Sequence, residues 1–374
     1  MKNRSALQFV LIIGIVNFFA DFTYEGARGI VGPFLGSLGA SAAVLGFVAG
    51  LGELMGYALR SVSGYFADKF HRHWVFAFLG YAVNMFAVPA LALATQWPLA
   101  ATLVVAERVG RGIRKPTVDT MLSYAGKSIG AGWVFGLNEA LDQAGATIGP
   151  LLMALILYLH GGFHTGFAVL LIPALLCLGT LFAARVLHPR PHELEQGTER
   201  TFGSTNLTRT YWIYFAAGAL IGFHFRNADA LPRHFIPVFY AVAMASGALA
   251  SIPLGRLLDR FGPKISLFAF VISAAAAPLV FLGTFSLALL GMIFWGIGMS
   301  AQGALFQAML TGVIPPQKRS TAFGLFDTGF GVAWFLGSTA MGLLYEKSVL
   351  AVALFSMIFQ LAAIPVIFVA NKKR

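Results

Sequence analysis

The chain has 374 residues, 58% of them hydrophobic and only 11% charged, with 26 Lys and Arg against 15 Asp and Glu for a net charge of +11. A soluble domain carries about 25% charged residues, so this chain cannot coat a soluble surface, and the bilayer takes the place of water as its solvent. The positive balance then belongs to membrane-flanking loops rather than to a nucleic-acid surface. One cysteine, Cys177, and eight scattered His exclude a disulfide framework and show no metal-ligand spacing.

The chain opens with Lys2 and Arg4, followed by an apolar run from Leu7 to Ala20. That layout resembles a signal peptide, but Asp21, Tyr24 and Glu25 follow with no small-residue cleavage site, so the segment reads as a retained first span. A span needs about 20 mostly apolar residues. Such stretches lie near 6–36, 40–67, 74–94, 97–124, 130–158, 163–187, 208–229, 234–258, 264–284, 286–312, 319–345 and 348–370, which predicts an all-α membrane protein of twelve transmembrane helices. The longest break, 188–207, is rich in polar residues and reads as a cytoplasmic linker between a six-helix bundle at 1–187 and another at 208–374. With the N-terminus inside, the inward connections hold Lys69, Arg72, Lys127, Arg185, Arg190, Arg200, Arg256, Arg260, Lys264, Lys318 and Arg319, and the tail Lys372–Arg374 joins them. The outward connections hold little beyond Arg233 and Lys347. The positive-inside rule therefore puts both termini in the cytoplasm, in a bacterial-type inner membrane.

Gly64-Tyr65-Phe66-Ala67-Asp68-Lys69-Phe70 and Gly255-Arg256-Leu257-Leu258-Asp259-Arg260-Phe261 both read Gly-x-x-x-Asp-basic-Phe, 191 residues apart. At an offset of 188, Phe135-Gly136-Leu137 falls on Phe323-Gly324-Leu325, Glu139 on Asp327, and Asp119-Thr120-Met121-Leu122 on Gln307-Ala308-Met309-Leu310. A half-chain repeat of this kind is a transporter architecture, with the site at the interface of the halves.

On these residues the chain resembles a major facilitator superfamily transporter. The doubled Gly-x-x-x-Asp-basic loop, with Gly64, Asp68, Lys69 and Arg72 in its first copy and Gly255, Asp259 and Arg260 in its second, resembles that family's best-known signature. Arg108-x-x-x-Gly112 resembles a second motif, and Gly145-x-x-x-Gly149-Pro150 a fifth-span pattern of its antiporters. Asp21-x-Thr23 is similar to a first-span pattern. One departure is His71, where the family usually has Gly. The resemblance implies two six-helix bundles and transport of a small molecule by alternating access. Spans 1, 4, 7 and 10 would line the cavity, and 2, 5, 8 and 11 would flank it. It also implies that Asp68 and Asp259 cap neighbouring helix ends and pair with basic residues when the inner side is shut.

Ionisable residues inside a membrane are costly and are functional candidates. In the fourth span, Glu107, Arg108, Arg111, Arg114, Lys115 and Asp119 crowd together around Pro116, which is expected to break the helix. Arg108, Arg111, Lys115 and Asp119 share one face at i, i+3 and i+4 steps. Arg108 and Arg111 are expected at the cavity wall, where they suit an anionic or zwitterionic substrate, and Arg114 and Lys115 are expected to snorkel to the inner surface. Asp21, Glu25 and Arg28 share a face of the first span; Glu139 and Asp142 lie on the fifth, and carboxylates from both would face the fourth-span arginines. Glu53 and Arg60 suggest a pair within the second span. In the second half the candidates are His224, Gln302, Gln307 and Asp327, with Trp295 and Trp334 as aromatic walls or packing. Pro116, Gly145, Gly149 and Pro150 are expected to act in packing or hinging.

No phosphate-binding Gly-x-x-x-x-Gly-Lys-Ser/Thr loop occurs, so nucleotide hydrolysis cannot drive the transport. No intramembrane protease or other catalytic constellation stands out, so the chain does not read as an enzyme. The expectation is a proton-coupled secondary transporter of a small solute, leaning to export by the fifth-span pattern. It would work as a monomer embedded in lipid, using protons and no cofactor, metal or nucleic acid. The alternatives are an uncoupled facilitator of an anionic metabolite and a non-transporting receptor or scaffold.

Overall fold

The computed structural model describes residues 2–159, 161–195, 211, 236–345 and 348–371, and every regular element among them is helical. The helices are α1 (Lys2–Ser37), α2 (Ala42–Phe70), α3 (His73–Ala90), α4 (Trp97–Ile129), α5 (Ala131–Tyr158), α6 (Phe163–Val169), α7 (Leu171–Leu187), α8 (Ile236–Phe261), α9 (Lys264–Ala274), α10 (Ala276–Leu282), α11 (Phe285–Thr311), α12 (Arg319–Tyr345) and α13 (Val349–Asn371). Eight described segments are long and apolar enough to cross a membrane. The expected sixth span is divided at Leu170, and the ninth at Ala275. The expected seventh span, with His224, lies outside the described residues except for Tyr211.

Local chemistry sets the helix ends. The Ser41 hydroxyl accepts the Val44 amide at 3.3 Å and starts α2. That helix stops at His71, which takes a left-handed φ of 53° while the amides of His71 and Arg72 turn back to Asp68 and Ala67. Its repeat counterpart is Gly262, at φ 71°. His71 thus fills, with a side chain, a backbone position that favours glycine.

Pro116 does not break α4, which runs unbroken through it. A proline removes the amide that would bond the carbonyl four residues earlier. That carbonyl, on Gly112, instead accepts the Ser63 hydroxyl of α2 at 3.0 Å. Pro116 is therefore a packing joint between α2 and α4, and the expected break does not form.

Two seams join the halves of the chain. α5 packs along α8, and α2 along α12. Both are tight at the end of the molecule that carries Lys69, Arg72, Lys127 and Arg319, the basic end. A Cβ on Gly64 would run into the Ser320 carbonyl, and one on Gly255 into the Gly132 carbonyl. A Cβ on Gly136 would lie 2.6 Å from the Ser251 carbonyl oxygen, and one on Gly324 would strike that of Arg60. Each contact in one seam has its repeat counterpart in the other. Towards the far end of α2, by contrast, Gly46 and Gly50 face open space.

Candidate functional site

The doubled loop motif acts on backbone amides. Asp68 accepts the amides of Ser320 (3.2 Å) and Thr321 (2.6 Å) and the Thr321 hydroxyl (2.6 Å) at the start of α12. Asp259 accepts the amides of Gly132 (2.8 Å) and Trp133 (2.7 Å) at the start of α5. Ser320 and Thr321 lie 188 residues after Gly132 and Trp133, so the two caps are one device used twice. A carboxylate suits these sites because first-turn amides have no partner within the helix and carry the positive end of its dipole. Among the described residues neither carboxylate forms the expected ion pair with a basic residue. Lys69 lies 5.7 Å from the Tyr65 ring centre and Arg260 5.3 Å from that of Phe261, while Arg72 is exposed.

A third clasp at the basic end is absent from the sequence reading. Glu195, just past the short turn Pro191–Leu194, accepts both Nη1 (3.2 Å) and Nη2 (2.9 Å) of Arg319 and also pairs with Lys127. The Leu194 carbonyl next to it accepts the Ser128 hydroxyl. Arg319 is fully buried, with its guanidinium 5.3 Å from the Tyr124 ring centre. Burial alone raises the Glu195 pKa, but the Arg319 and Lys127 cations outweigh it and hold the carboxyl below its ordinary value of 4.5. The residues after α7 therefore tie the end of α4 to the start of α12. In the sequence, Arg319 and Lys127 read only as loop charges.

Deeper in the molecule α1 and α4 face each other through opposite charges, as expected. Glu25 accepts Arg28 Nη1 at 2.8 Å and Arg111 Nη2 at 3.5 Å, and Arg111 also stacks 4.2 Å from the Tyr24 ring centre. Arg108 Nε pairs with Glu107 at 3.1 Å, and Asn84 of α3 donates to that carboxylate at 3.0 Å. Glu53 does not pair with Arg60. Its Oε1 lies 3.4 Å from Arg28 and 3.5 Å from Arg108, while Arg60 reaches across the α2–α12 seam to Asp327 at 3.1 Å. Residues two turns apart on one helix have diverged to different neighbours. The Arg60–Asp327 contact is an ion pair without hydrogen-bond alignment, since Arg60 Nε and Asp327 Oδ2 have no hydrogen-bond partner.

Arg114 and Lys115 do not snorkel. Arg114 is buried and donates to Asn17 Oδ1 at 3.1 Å, with Asp21 at 3.9 Å and the Tyr81 ring centre at 4.4 Å. Tyr81 also donates to Asn17 Oδ1, and Asn17 donates to Asn138 Oδ1 at 2.8 Å. Asn17, Tyr81 and Asn84 are the polar framework that sequence reasoning missed, because uncharged residues within apolar spans carry no spacing signal. Lys115 pairs with Asp119 at 2.8 Å, and the other Asp119 oxygen accepts Gln307 Nε2 of α11 at 3.0 Å.

The α5 carboxylates stand apart from the arginines they were expected to face. Glu139 accepts Gln143 at 2.8 Å and lies against Gly303 of α11, next to Gln302. Asp142 accepts Asn138 at 3.4 Å, and its Oδ1 has no partner. Both are half-buried, and among the described residues neither forms an ion pair. Gly145 and Gly149 of the same helix let α1 approach at Phe18, Phe22 and Gly26. Trp334 meets Phe330 edge to face, a packing contact.

These observations define a helical membrane protein with a repeated pair of caps at one end and buried charge at mid-depth. The sequence profile of the Major Facilitator Superfamily matches residues 13–239 and again 210–373. The chain belongs to the Major Facilitator Superfamily. It is thus a multi-pass membrane transporter rather than an enzyme. Among curated relatives, an uncharacterized protein of Mycobacterium tuberculosis is 33% identical, covering 99% of this chain and 94% of its own. An uncharacterized MFS-type transporter of Methanocaldococcus jannaschii is 27% identical, over 93% and 91% of the two chains. The fold is shared with solved transporters. A human organic anion transporter superposes with a TM-score of 0.77 at 12% identity, over 97% of this chain and 99% of that one. An outward-facing bacterial homologue of the iron transporter ferroportin gives 0.75 at 14%, again over 97% and 99%. The fucose:proton symporter of E. coli gives 0.70 at 14%, over 98% of each chain.

Proposed function

We propose that this superfamily member is a proton-coupled secondary transporter that exports a small solute by alternating access across a bacterial inner membrane. It would work as a monomer of two six-helix bundles, 1–187 and 208–374, joined by a cytoplasmic linker at 188–207, with twelve spans and both termini inside. The observation that carries the reading is the division of labour among the mid-depth carboxylates. Asp21 and Glu25 of α1 are neutralised by α4 arginines. Glu139 and Asp142 of α5 have no such partner among the described residues and are half-buried. An unpaired buried carboxylate is costly, and these two can take up a proton without breaking an ion pair, so they serve as the proton carriers.

With the basic loops on the cytoplasmic side, the caps of Asp68 and Asp259 and the Glu195 clasp close the cytoplasmic face. A cytoplasmic face held shut in this way belongs to the outward-facing half of an alternating-access cycle. The Gly145-x-x-x-Gly149-Pro150 pattern, which resembles that of antiporters, supports export in exchange for protons.

The test is reconstitution into liposomes with an internal pH dye and an imposed pH gradient, screened against small organic solutes. A solute flux that carries protons in wild type and loses them in Glu139→Gln or Asp142→Asn is expected. Net flux unchanged by collapse of the gradient would replace this reading with an uncoupled facilitator.

A further inference from the structure

Resting on that reading, we infer that Glu53 is a tethered stand-in for the transported solute's own anionic group, and that the solute is a small organic carboxylate that takes its place between Arg28 and Arg108. Three carboxylates meet the arginines at this level. Glu25 and Glu107 are almost fully buried, with side chains 6% and 8% exposed, and each has a short contact, at 2.8 and 3.1 Å. Glu53 is 42% exposed, and its two contacts are 3.4 and 3.5 Å, both to one oxygen. It is the most loosely held and the most accessible of the three.

The arginines it touches suit exchange. Arg28 is 43% exposed. Charged groups this accessible in mid-membrane face water rather than lipid. Arg108 is held from behind, because α2 runs so close that a Cβ on Gly52 would stand 3.1 Å from its Cγ and one on Gly56 3.4 Å from its carbonyl oxygen. Its Nη1 is nonetheless buried with no hydrogen-bond partner. That donor is left over by Glu53 and Glu107, and a two-oxygen ligand would satisfy it.

Glu53 and Arg108 each sit 11 residues from the far-end starts of α2 and α4, and Arg28 sits 9 residues from the far-end close of α1. At about 1.5 Å per residue all three are roughly 15 Å deep, the middle of an apolar core about 30 Å thick. Two helices, α1 and α4, thus present one cationic fork at the depth where a carrier binds its solute, already occupied by a carboxylate from a third, α2. A carboxylate is the favoured class because the protein's own occupant is one, and planar guanidinium donors match it in pairs.

The experiment measures binding of propionate, a free analogue of the Glu53 side chain, and of neutral propionamide to the purified full chain by thermal shift and calorimetry. Propionate is expected to bind wild type weakly and Glu53→Gln about tenfold more tightly, or about 1.4 kcal/mol, because the competing carboxylate is gone. Propionamide should bind neither, and Arg108→Gln should abolish propionate binding. Equal affinity of wild type and Glu53→Gln for propionate, or propionate binding that survives in Arg108→Gln, overturns the inference. If Glu53→Gln is poorly folded, Glu53→Ala with propionate restoring its thermal midpoint reads the same exchange. Proton-coupled flux of a cationic or neutral solute, with no propionate effect, would refute the stand-in and leave the transport reading intact.

Discussion

Replacing Asp259 by Ala tests whether the repeated caps hold the basic end shut. The substitution removes acceptors for two amides, at 2.8 and 2.7 Å, from the first turn of α5. Loss of an N-cap costs about 1 kcal/mol, and a carboxylate at the positive end of a helix dipole adds up to about 1 kcal/mol. In the closed state those amides lie against the last turns of α8; once the seam opens, water solvates both partners. The cost of about 2 kcal/mol therefore falls on the closed state alone and shifts the closed-to-open ratio by roughly 30-fold. Spin labels at Lys69→Cys and Gln317→Cys, in a Cys177→Ala background, straddle the other seam, which a rigid-body movement opens at the same time. Pulsed electron-spin distance measurements should show a longer-distance population growing in Asp259→Ala and, less, in Asp259→Asn. A distance distribution unchanged in Asp259→Ala but shifted in Asp68→Ala would refute the idea that the two caps share one closing equilibrium.

His71→Gly should stabilise the protein by about 1 kcal/mol, because it removes a side chain from a left-handed position, read as a raised thermal midpoint in detergent. Glu195→Gln should loosen the basic end at neutral pH by about 2 kcal/mol, since it leaves Arg319 buried without its carboxylate. The Glu195 pKa is depressed in the folded protein, so its contribution is complete above the ordinary 4.5 and is lost as pH falls through the depressed value. The difference between wild type and Glu195→Gln in the spin-label distances should accordingly vanish in acid, and a difference that grows in acid would contradict the clasp. Arg114→Ala should sharply reduce folded yield by removing the cation from Asp21 and Asn17, a loss of about 3 kcal/mol or more, measured by fluorescence-detected gel filtration. Full yield would show Arg114 to be dispensable to the α1–α3–α4–α5 framework.

The parts legible in the sequence were those written twice or written in charge. The caps of Asp68 and Asp259 were visible because one motif recurs at half-chain spacing, and the Arg–carboxylate face of α1 and α4 because helical periodicity aligned it. Partner choice was less legible. Glu53 and Arg60 share a helix, but long side chains reach 6 Å or so to either side, and each found a partner on another helix. Pro116 read as a break because one chain segment cannot reveal that Ser63 supplies the missing bond. Arg114 read as a surface cation because Asn17, Tyr81 and Asn138, which make its burial affordable, are ordinary polar residues in apolar runs. Glu195 sits in what reads as a polar linker, and only its position beside Arg319 gives it a task.

Asp119 bonds Gln307, and the Phe135 ring lies 6.1 Å from that of Phe323; in each case a residue touches its own counterpart in the other repeat. Such a position lies on the pseudo-twofold axis. In a homodimer of identical halves it would set like against like, two carboxylates repelling each other or two amides facing each other. A single fused chain is released from that constraint. It can put an acceptor on one side of the axis and a donor on the other, so the Asp–Gln contact is a bond that two identical halves could not make there.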